Sequence, residues 1–179
     1  ELNPRVVAQA FGLPTPALPA ASPLLKMRPP RLCDGCPHAN SYDALNEILK
    51  NRPTSRIFGD IGCYTLGALP PYNAIHTCVD MGASISMAKG AADAGVQPAV
   101  AVIGDSTFTH SGMTALLDAV WENSPITVII LDNGTTGMTG GQTSQAAGRM
   151  ENICAGLGVA PEHIRILTPL PKHHADNVK

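Results

Sequence analysis

Two polar turns carry the chemistry that this chain's residue types allow. Gly104-Asp105-Ser106 follows the apolar run 98–103, and Asp132-Asn133-Gly134 follows the apolar run 126–131. Each run has the length and β-branched content of a buried parallel strand. Two neighbouring strands of this kind end at one edge of a sheet, the edge at which open α/β sheets bind ligands. Asp105 brings a carboxylate, Asn133 a carboxamide, and Gly104 and Gly134 bare backbone. Hard oxygen donors in this arrangement suit Mg²⁺ bridging a polyphosphate. Each residue also has a plainer use. Asp105 would cap the helix that follows, and Asn133-Gly134 would form an ordinary turn with a positive φ.

The elements that must position these turns follow from the hydrophobic pattern. Residues 1–30, with Pro14, Pro16, Pro19, Pro23, Pro29 and Pro30, read as an interdomain linker, extended rather than helical. Residues 31–179 then alternate. Asn40 or Ser41 caps a helix through Lys50, and 56–58 and 75–78 are short strands. Residues 82–94 form a helix of small side chains. Residues 98–103 are a strand, 111–123 a helix, 126–131 a strand, 148–157 a helix stopped by Gly158, and 163–167 a closing strand. The fold class is therefore α/β, a parallel sheet with helices on both faces.

Composition narrows the class. The chain has 179 residues, 44% hydrophobic and 15% charged, which is the profile of a globular domain. A net charge of −2 argues against a broad nucleic-acid surface. No apolar run reaches the length of a membrane span, and no signal-peptide pattern opens the chain. Five cysteines, an odd number without secreted-framework spacing, place the chain in the cytoplasm. Glu1 is not an initiator and Asn177-Val178-Lys179 has no stop signal, so the chain reads as a piece of a longer polypeptide.

The order of five segments resembles one family. Gly-Asp-Ser followed by Asp-Asn is similar to the thiamine diphosphate motif. The other segments are Leu32-Cys33-Asp34-Gly35-Cys36-Pro37-His38, Gly59-Asp60-Ile61-Gly62-Cys63-Tyr64-Thr65-Leu66-Gly67, Met81-Gly82-Ala83-Ser84-Ile85 and Thr135-Thr136-Gly137-Met138-Thr139-Gly140-Gly141-Gln142. Together they resemble the 2-oxoacid:ferredoxin oxidoreductases, most of all the indolepyruvate ferredoxin oxidoreductase alpha subunit. The resemblance runs from about Arg28 to about Thr168.

The resemblance implies a thiamine diphosphate-binding fold. It implies that Asp105, the Asn133 side chain and the Thr135 carbonyl hold Mg²⁺ on the cofactor's diphosphate. Gly104, Ser106, Thr107 and Gly134 would offer N–H groups or hydroxyls to the diphosphate. Met81, before Gly82 and Ala83, would stand beneath the cofactor and enforce its bent shape. Met138 would cover the thiazolium. His38 would act on the substrate carboxylate or in proton transfer; a loop histidine bonded to backbone is the plainer alternative. In related enzymes a Cys-x-x-Cys and a later cysteine hold a [4Fe–4S] cluster, positions that Cys33, Cys36 and Cys63 match. The fourth ligand has no match here, because Cys154 comes too early and Cys78 leads into the Met81-Gly82 turn. The same cysteines can instead be a redox pair, half a zinc site, or small soft residues lining the pocket.

The implied reaction is oxidative decarboxylation of a 2-oxoacid, indolepyruvate or another aryl-pyruvate, to acyl-CoA with reduction of ferredoxin. Gly141 departs from the indolepyruvate branch, where a His more often stands. The implied partners are a pyrimidine-binding domain, a ferredoxin-like domain, a second subunit, ferredoxin, coenzyme A and the 2-oxoacid. The pyrimidine-binding domain supplies the Glu that activates the cofactor, and no sequence like it is present, so the chain alone is expected to be inactive. A homodimer through the small-residue helix 82–94 is expected as well. Three alternatives remain at this point: a non-oxidative thiamine-dependent decarboxylase or synthase, a non-catalytic metal- or cluster-binding module, and a nucleotide-binding domain. The last lacks a Gly-x-Gly-x-x-Gly after a strand.

Overall fold

The computed structural model describes residues 3–26 and 29–179. The linker residues 1, 2, 27 and 28 lie outside them. The centre of the fold is β3 (Ala99–Gly104), all six of whose residues are buried. The parallel sheet runs β2 (Thr77–Cys78), β1 (Arg56–Gly59), β3, β4 (Ile126–Leu131). Strand alternation sends Ala99, Ala101 and Ile103 to one face and Val100 and Val102 to the other. Both faces are covered, which is why β3 reads as a continuous apolar run rather than an alternating one.

On the first face lie α3 (Ala83–Asp93), α5 (Met113–Trp121) and α6 (Met150–Gly156). Their side chains Ile85, Ala88, Leu116 and Cys154, with Phe108 from the turn before α5, form one core with the sheet. Ser84, Ala88 and Ala92 are small, so the α3 backbone approaches β3 closely. On the second face lie α2 (Pro37–Leu49) and a 3₁₀ turn at Cys63–Ala68. Tyr42, Leu45, Tyr64 and Ile75 pack there against Ile57, Val100 and Val102. Full burial of a side chain such as Ile103 or Phe108 contributes about 2 kcal/mol.

The register sets the site. Gly59 pairs with Val102 and Gly104 with Leu131. The next residues of β3 and β4, Asp105 and Asp132, therefore leave the sheet side by side. Gly59-Asp60 ends β1 two residues below them. The Asp60 carboxylate is fully buried and caps the N-terminus of α3. Its Oδ1 accepts from the amides of Gly82 (2.6 Å) and Ala83 (3.1 Å). Its Oδ2 accepts from the Ser84 amide (3.3 Å) and hydroxyl (2.5 Å). Burial pushes this carboxyl up from its ordinary value, and the four donors pull it back down.

Several sequence expectations need correction. The segment 1–30 is not wholly extended, because α1 (Pro4–Ala10) is helical, with Asn3 accepting the Val6 amide as its cap. Helix α2 starts at Pro37, not after Asn40 or Ser41, since a proline suits the first helical position. The second strand is confined to Thr77–Cys78. Helical structure after β3 begins at Asp105, in the short α4 (Asp105–Thr107), and passes through a π-helical turn at Phe108–Gly112 into α5. Residues 163–167 are not a strand. A 3₁₀ turn at Pro161–His163 leads into irregular chain, with Ile166 and Leu167 exposed. Among the described residues, β4 carries no strand on its outer edge.

The Asp60 cap generates a stability prediction. Asp60→Ala leaves three buried amides and a hydroxyl without an acceptor and is expected to cost about 3 kcal/mol or more in denaturant unfolding. Asp60→Asn keeps one acceptor and should cost less. An alanine variant within about 1 kcal/mol of wild type would show that the cap is dispensable.

Candidate functional site

The C-terminal edge of the sheet gathers the residues singled out above. Asp105 opens the helical run at the end of β3, with Gly104 as its N-cap residue. It is thus a first-turn residue rather than a cap. It is only 3% exposed, and its Oδ2 is buried without any hydrogen-bond partner. A bare buried carboxylate oxygen is costly unless something cationic meets it. Burial raises the Asp105 carboxyl above its ordinary value. The Ser144 hydroxyl and the Ser106 amide draw it down, and the adjacent Asp132 carboxyl raises it further. Strand register thus brings two carboxyls together, a pairing whose chemistry suits a cation.

The loop after β4 completes the oxygen donors. Asp132 Oδ1 accepts the Gly134 amide at 3.0 Å, and Asn133 Oδ1 accepts the Thr135 amide at 3.0 Å. These turns fix both side chains at the exposed mouth of the site. The positive φ lies at Gly134 (68°), not at Asn133. Thr135–Thr136 (β5) and Gln142–Thr143 (β6) then form an antiparallel hairpin. Thr136 Oγ1 donates to Ser106 Oγ at 2.9 Å and ties the hairpin to the Asp105 turn. Met138, at the hairpin tip, is 70% exposed.

Tyr64 supports the Gly104 turn from below. A Cβ at Gly104 would stand 2.5 Å from its ring, so only glycine fits there. The Thr107 hydroxyl is already used, donating to the Ile61 carbonyl at 3.1 Å, which leaves its amide for a ligand. His38 is not on a loop, as the sequence suggested, but in the first turn of α2, buried and edge-on to Tyr64 at 6.3 Å between centroids. Burial lowers its pKa, while the Asp105 charge acts the other way. The imidazole is neutral at neutral pH.

Met81 stands 41% exposed just before Gly82 and Ala83, which enter α3. Gly82 adopts φ 95°, a left-handed conformation that favours glycine. Cys33 is exposed, Cys36 is half-buried at the N-cap of α2, and Cys63 is half-buried. Burial pushes the Cys63 thiol up, and the nearby Cys36 adds to this. Among the described residues, no three His, Cys, Asp or Glu side chains converge closely enough to hold a metal ion. Cys33, Cys36 and Cys63 therefore form no closed ligand set in this structure. Cys78 ends β2, and Cys154 is buried in α6.

Sequence reasoning left unassigned Asp60, Asp132, Ser144 and the pair His110-Ser111. Asp132 had a legible signal, since it sits at a strand end beside Asn133, and Asp60 stands in a Gly-Asp turn like that of Asp105. Ser144 and Ser111 had none, because their roles depend on contacts far along the chain.

Comparison with known proteins gives the family and the fold. The family profile of thiamine pyrophosphate enzymes, C-terminal TPP-binding domain, matches residues 60–164. The indolepyruvate oxidoreductase subunit IorA of Archaeoglobus fulgidus is 38% identical over 153 residues, covering 79% of this chain and 24% of that subunit. The IorA subunit of Methanothermobacter thermautotrophicus is 41% identical over 142 residues, covering 77% and 23%. The chain spans about a quarter of the length of these relatives. A solved 2-oxoglutarate:ferredoxin oxidoreductase from Magnetococcus marinus, with 2-oxoglutarate, coenzyme A and succinyl-CoA bound, shares the fold. Its TM-score is 0.54 at 20% identity, over 66% of this chain and 42% of that one.

The bare Asp105 oxygen has a thermodynamic signature. A carboxyl raised above its ordinary 3.8 contributes stability below that value, and the contribution is lost as pH rises through the folded value. Without divalent cation, Asp105→Asn should therefore melt higher than wild type near pH 7 and converge with it near pH 4. Thermal melts across that range test this; an Asn variant less stable at neutral pH would contradict it.

Proposed function

We propose, for a chain that belongs to the C-terminal TPP-binding domain family of thiamine pyrophosphate enzymes, that it anchors Mg²⁺ and thiamine diphosphate within a 2-oxoacid:ferredoxin oxidoreductase. The observation that carries the reading is the buried, unpartnered Oδ2 of Asp105. The residues around it fit a divalent cation. Asp105 and the Asn133 amide oxygen are hard donors from adjacent strand ends, and the Thr135 carbonyl lies two residues further on. The Gly104 and Thr107 amides at the start of the helical run would offer donors to an anion, and those of Ser106 and Gly134, bonded here to Asp105 and Asp132, would turn to it once a cation engaged the two carboxylates.

When bound, thiamine diphosphate supplies the carbanion and electron-sink chemistry by which a 2-oxoacid loses CO₂. The residues of this chain bind and orient. Asp105, Asn133 and Thr135 hold the Mg²⁺, and Met81 presents a soft apolar side chain beneath the cofactor. Met138 rides on the hairpin at the open face. His38, its pKa lowered by burial and raised by the Asp105 charge, is suited to holding or moving a proton at that end of the site.

Relatives named for indolepyruvate support an aryl-pyruvate substrate. In this reading 31–179 is one domain of the complete enzyme, joined through 1–30. Its partners are a pyrimidine-binding domain, a ferredoxin-like domain and a second subunit, in a cytoplasmic homodimeric arrangement through α3. Ferredoxin, reduced through iron–sulfur groups of the complete enzyme, takes the electrons, and coenzyme A takes the acyl group. Among the described residues, no helix is long and apolar enough to cross a membrane.

Calorimetric titration tests the anchoring role. Thiamine diphosphate should bind saturably only with Mg²⁺, and Asp105→Ala should weaken binding by roughly a hundredfold, the loss of one charged ligand in a partly buried site. Binding that is indifferent to Mg²⁺ or to Asp105, with the pyrimidine-binding domain present, would sink the reading.

A further inference from the structure

The peptide unit between Met81 and Gly82 is gripped at both ends by side chains from two other parts of the fold. Its N–H is donated by Gly82 to the fully buried Asp60 Oδ1 at 2.6 Å. Its C=O, on Met81, accepts the Ser111 hydroxyl at 2.8 Å. Ser111 belongs to the π-helical turn Phe108–Gly112, an irregularity frequent at functional sites. It packs so tightly that a Cβ at Gly82 would stand 2.5 Å from Ser111 Oγ and 2.8 Å from its carbonyl. Behind Ser111 stands His110, whose Nδ1 is 3.1 Å from Ser111 Oγ.

The proton inventory orders this chain. A serine hydroxyl has one proton, and here it goes to the Met81 carbonyl. The His110 Nδ1 must then be the donor to Ser111 Oγ, which fixes the imidazole with its proton on Nδ1. Neither residue is needed for the core, since His110 is exposed and Ser111 only half-buried.

We propose that Ser111 and His110 are positioning residues, which hold the Met81–Gly82 peptide against Asp60 and so fix the Met81 side chain relative to the Asp105 site. This rests on the thiamine-binding reading above. The helical run that begins with Asp105 also carries Ser111. One element thus sets both the diphosphate anchor and the residue beneath the cofactor. A free peptide between Met81 and a left-handed glycine would let Met81 swing; the clamp removes that freedom. A side chain meant to enforce a bent ligand conformation has to resist displacement, and small misplacements of such residues are costly in rate.

Two measurements test this. In the chain itself, nitrogen NMR of His110 should show the neutral ring protonated on Nδ1, and Ser111→Ala should move the proton to Nε2. In the complete enzyme loaded with Mg²⁺ and thiamine diphosphate, hydrogen–deuterium exchange at the thiazolium C2 should slow on the order of tenfold in Ser111→Ala and His110→Gln. His110→Asn, whose amide nitrogen replaces Nδ1, should restore most of the rate. Mn²⁺ affinity at Asp105 should be unchanged in all three, which excludes general misfolding. A wild-type ring protonated on Nε2, or exchange unaffected by losing Ser111, would overturn the proposal. If wild type fails to bind the cofactor at all, the anchoring role has failed and this proposal falls with it, whatever the tautomer.

Discussion

A carboxylate oxygen stripped of water and given no partner is a standing cost to a fold, and the sheet edge of this chain is arranged around one. Asp105 leaves a wholly buried strand, beside Asp132, with Oδ2 facing no donor. The pairing of Gly104 with Leu131 makes the two carboxyls neighbours, so the repulsion is a consequence of register and not of a loop's accident. Tyr64 then blocks the turn from sinking or rotating, because its ring occupies the space a Cβ at Gly104 would need. A structure that only sought stability would have placed a neutral residue there. Retaining the charge makes sense if a cation completes it.

Asp60 makes the contrast clear. It too follows a glycine at a strand end and is still more buried, yet all of its acceptor capacity is filled by the start of α3. The two Gly-Asp turns look alike in the sequence. What separates them is the element each meets. Asp60 faces the N-terminus of a helix from the next crossover, whereas Asp105 begins its own helical run and cannot cap the helix it belongs to. One carboxylate is therefore filled by the architecture, and the other keeps an oxygen without a partner. That assignment depends on contacts more than twenty residues away and has no local signal.

The strands at 99–104 and 126–131 were legible because β-branched runs between turn residues are a local signature, and the order of strands and helices followed. Helix α2 began earlier than its serine and asparagine suggested, because Pro37 is itself a good first helical residue. The β-branched segment near Ile164–Leu167 misled for the opposite reason. Strand propensity describes a residue's fit to a pleated surface, but a strand exists only where a neighbour pairs with it. Here Ile164 packs on the helical core while Ile166 and Leu167 face outward, and β4 remains an open edge among the described residues. His110 is exposed and carries no sequence signal of a role. Its link to Met81 runs through Ser111 across thirty residues of chain, which no spacing rule detects.

The site thus divides into a rigid part and an adjustable part. Asp60, Ser111 and Tyr64 hold the Met81–Gly82 peptide and the Gly104–Asp105 turn to the two cores, so these cannot move independently of the sheet. The hairpin from Thr135 to Thr143 is different. It is exposed, it carries Gly140 and Gly141 at positive φ, and much of its bonding is internal, as between Thr139 and Gln142. The Thr136–Ser106 hydroxyl contact ties it to the rigid part, and Ser144, at the end of the hairpin, ties its base to Asp105. A ligand whose charge is met by Asp105 and Asn133 would engage both parts at once, since Asn133 and Thr135 lead directly into the hairpin. A cation held there would couple its own binding to the position of Met138, because the same few residues of backbone, from Asn133 to the hairpin tip, carry both.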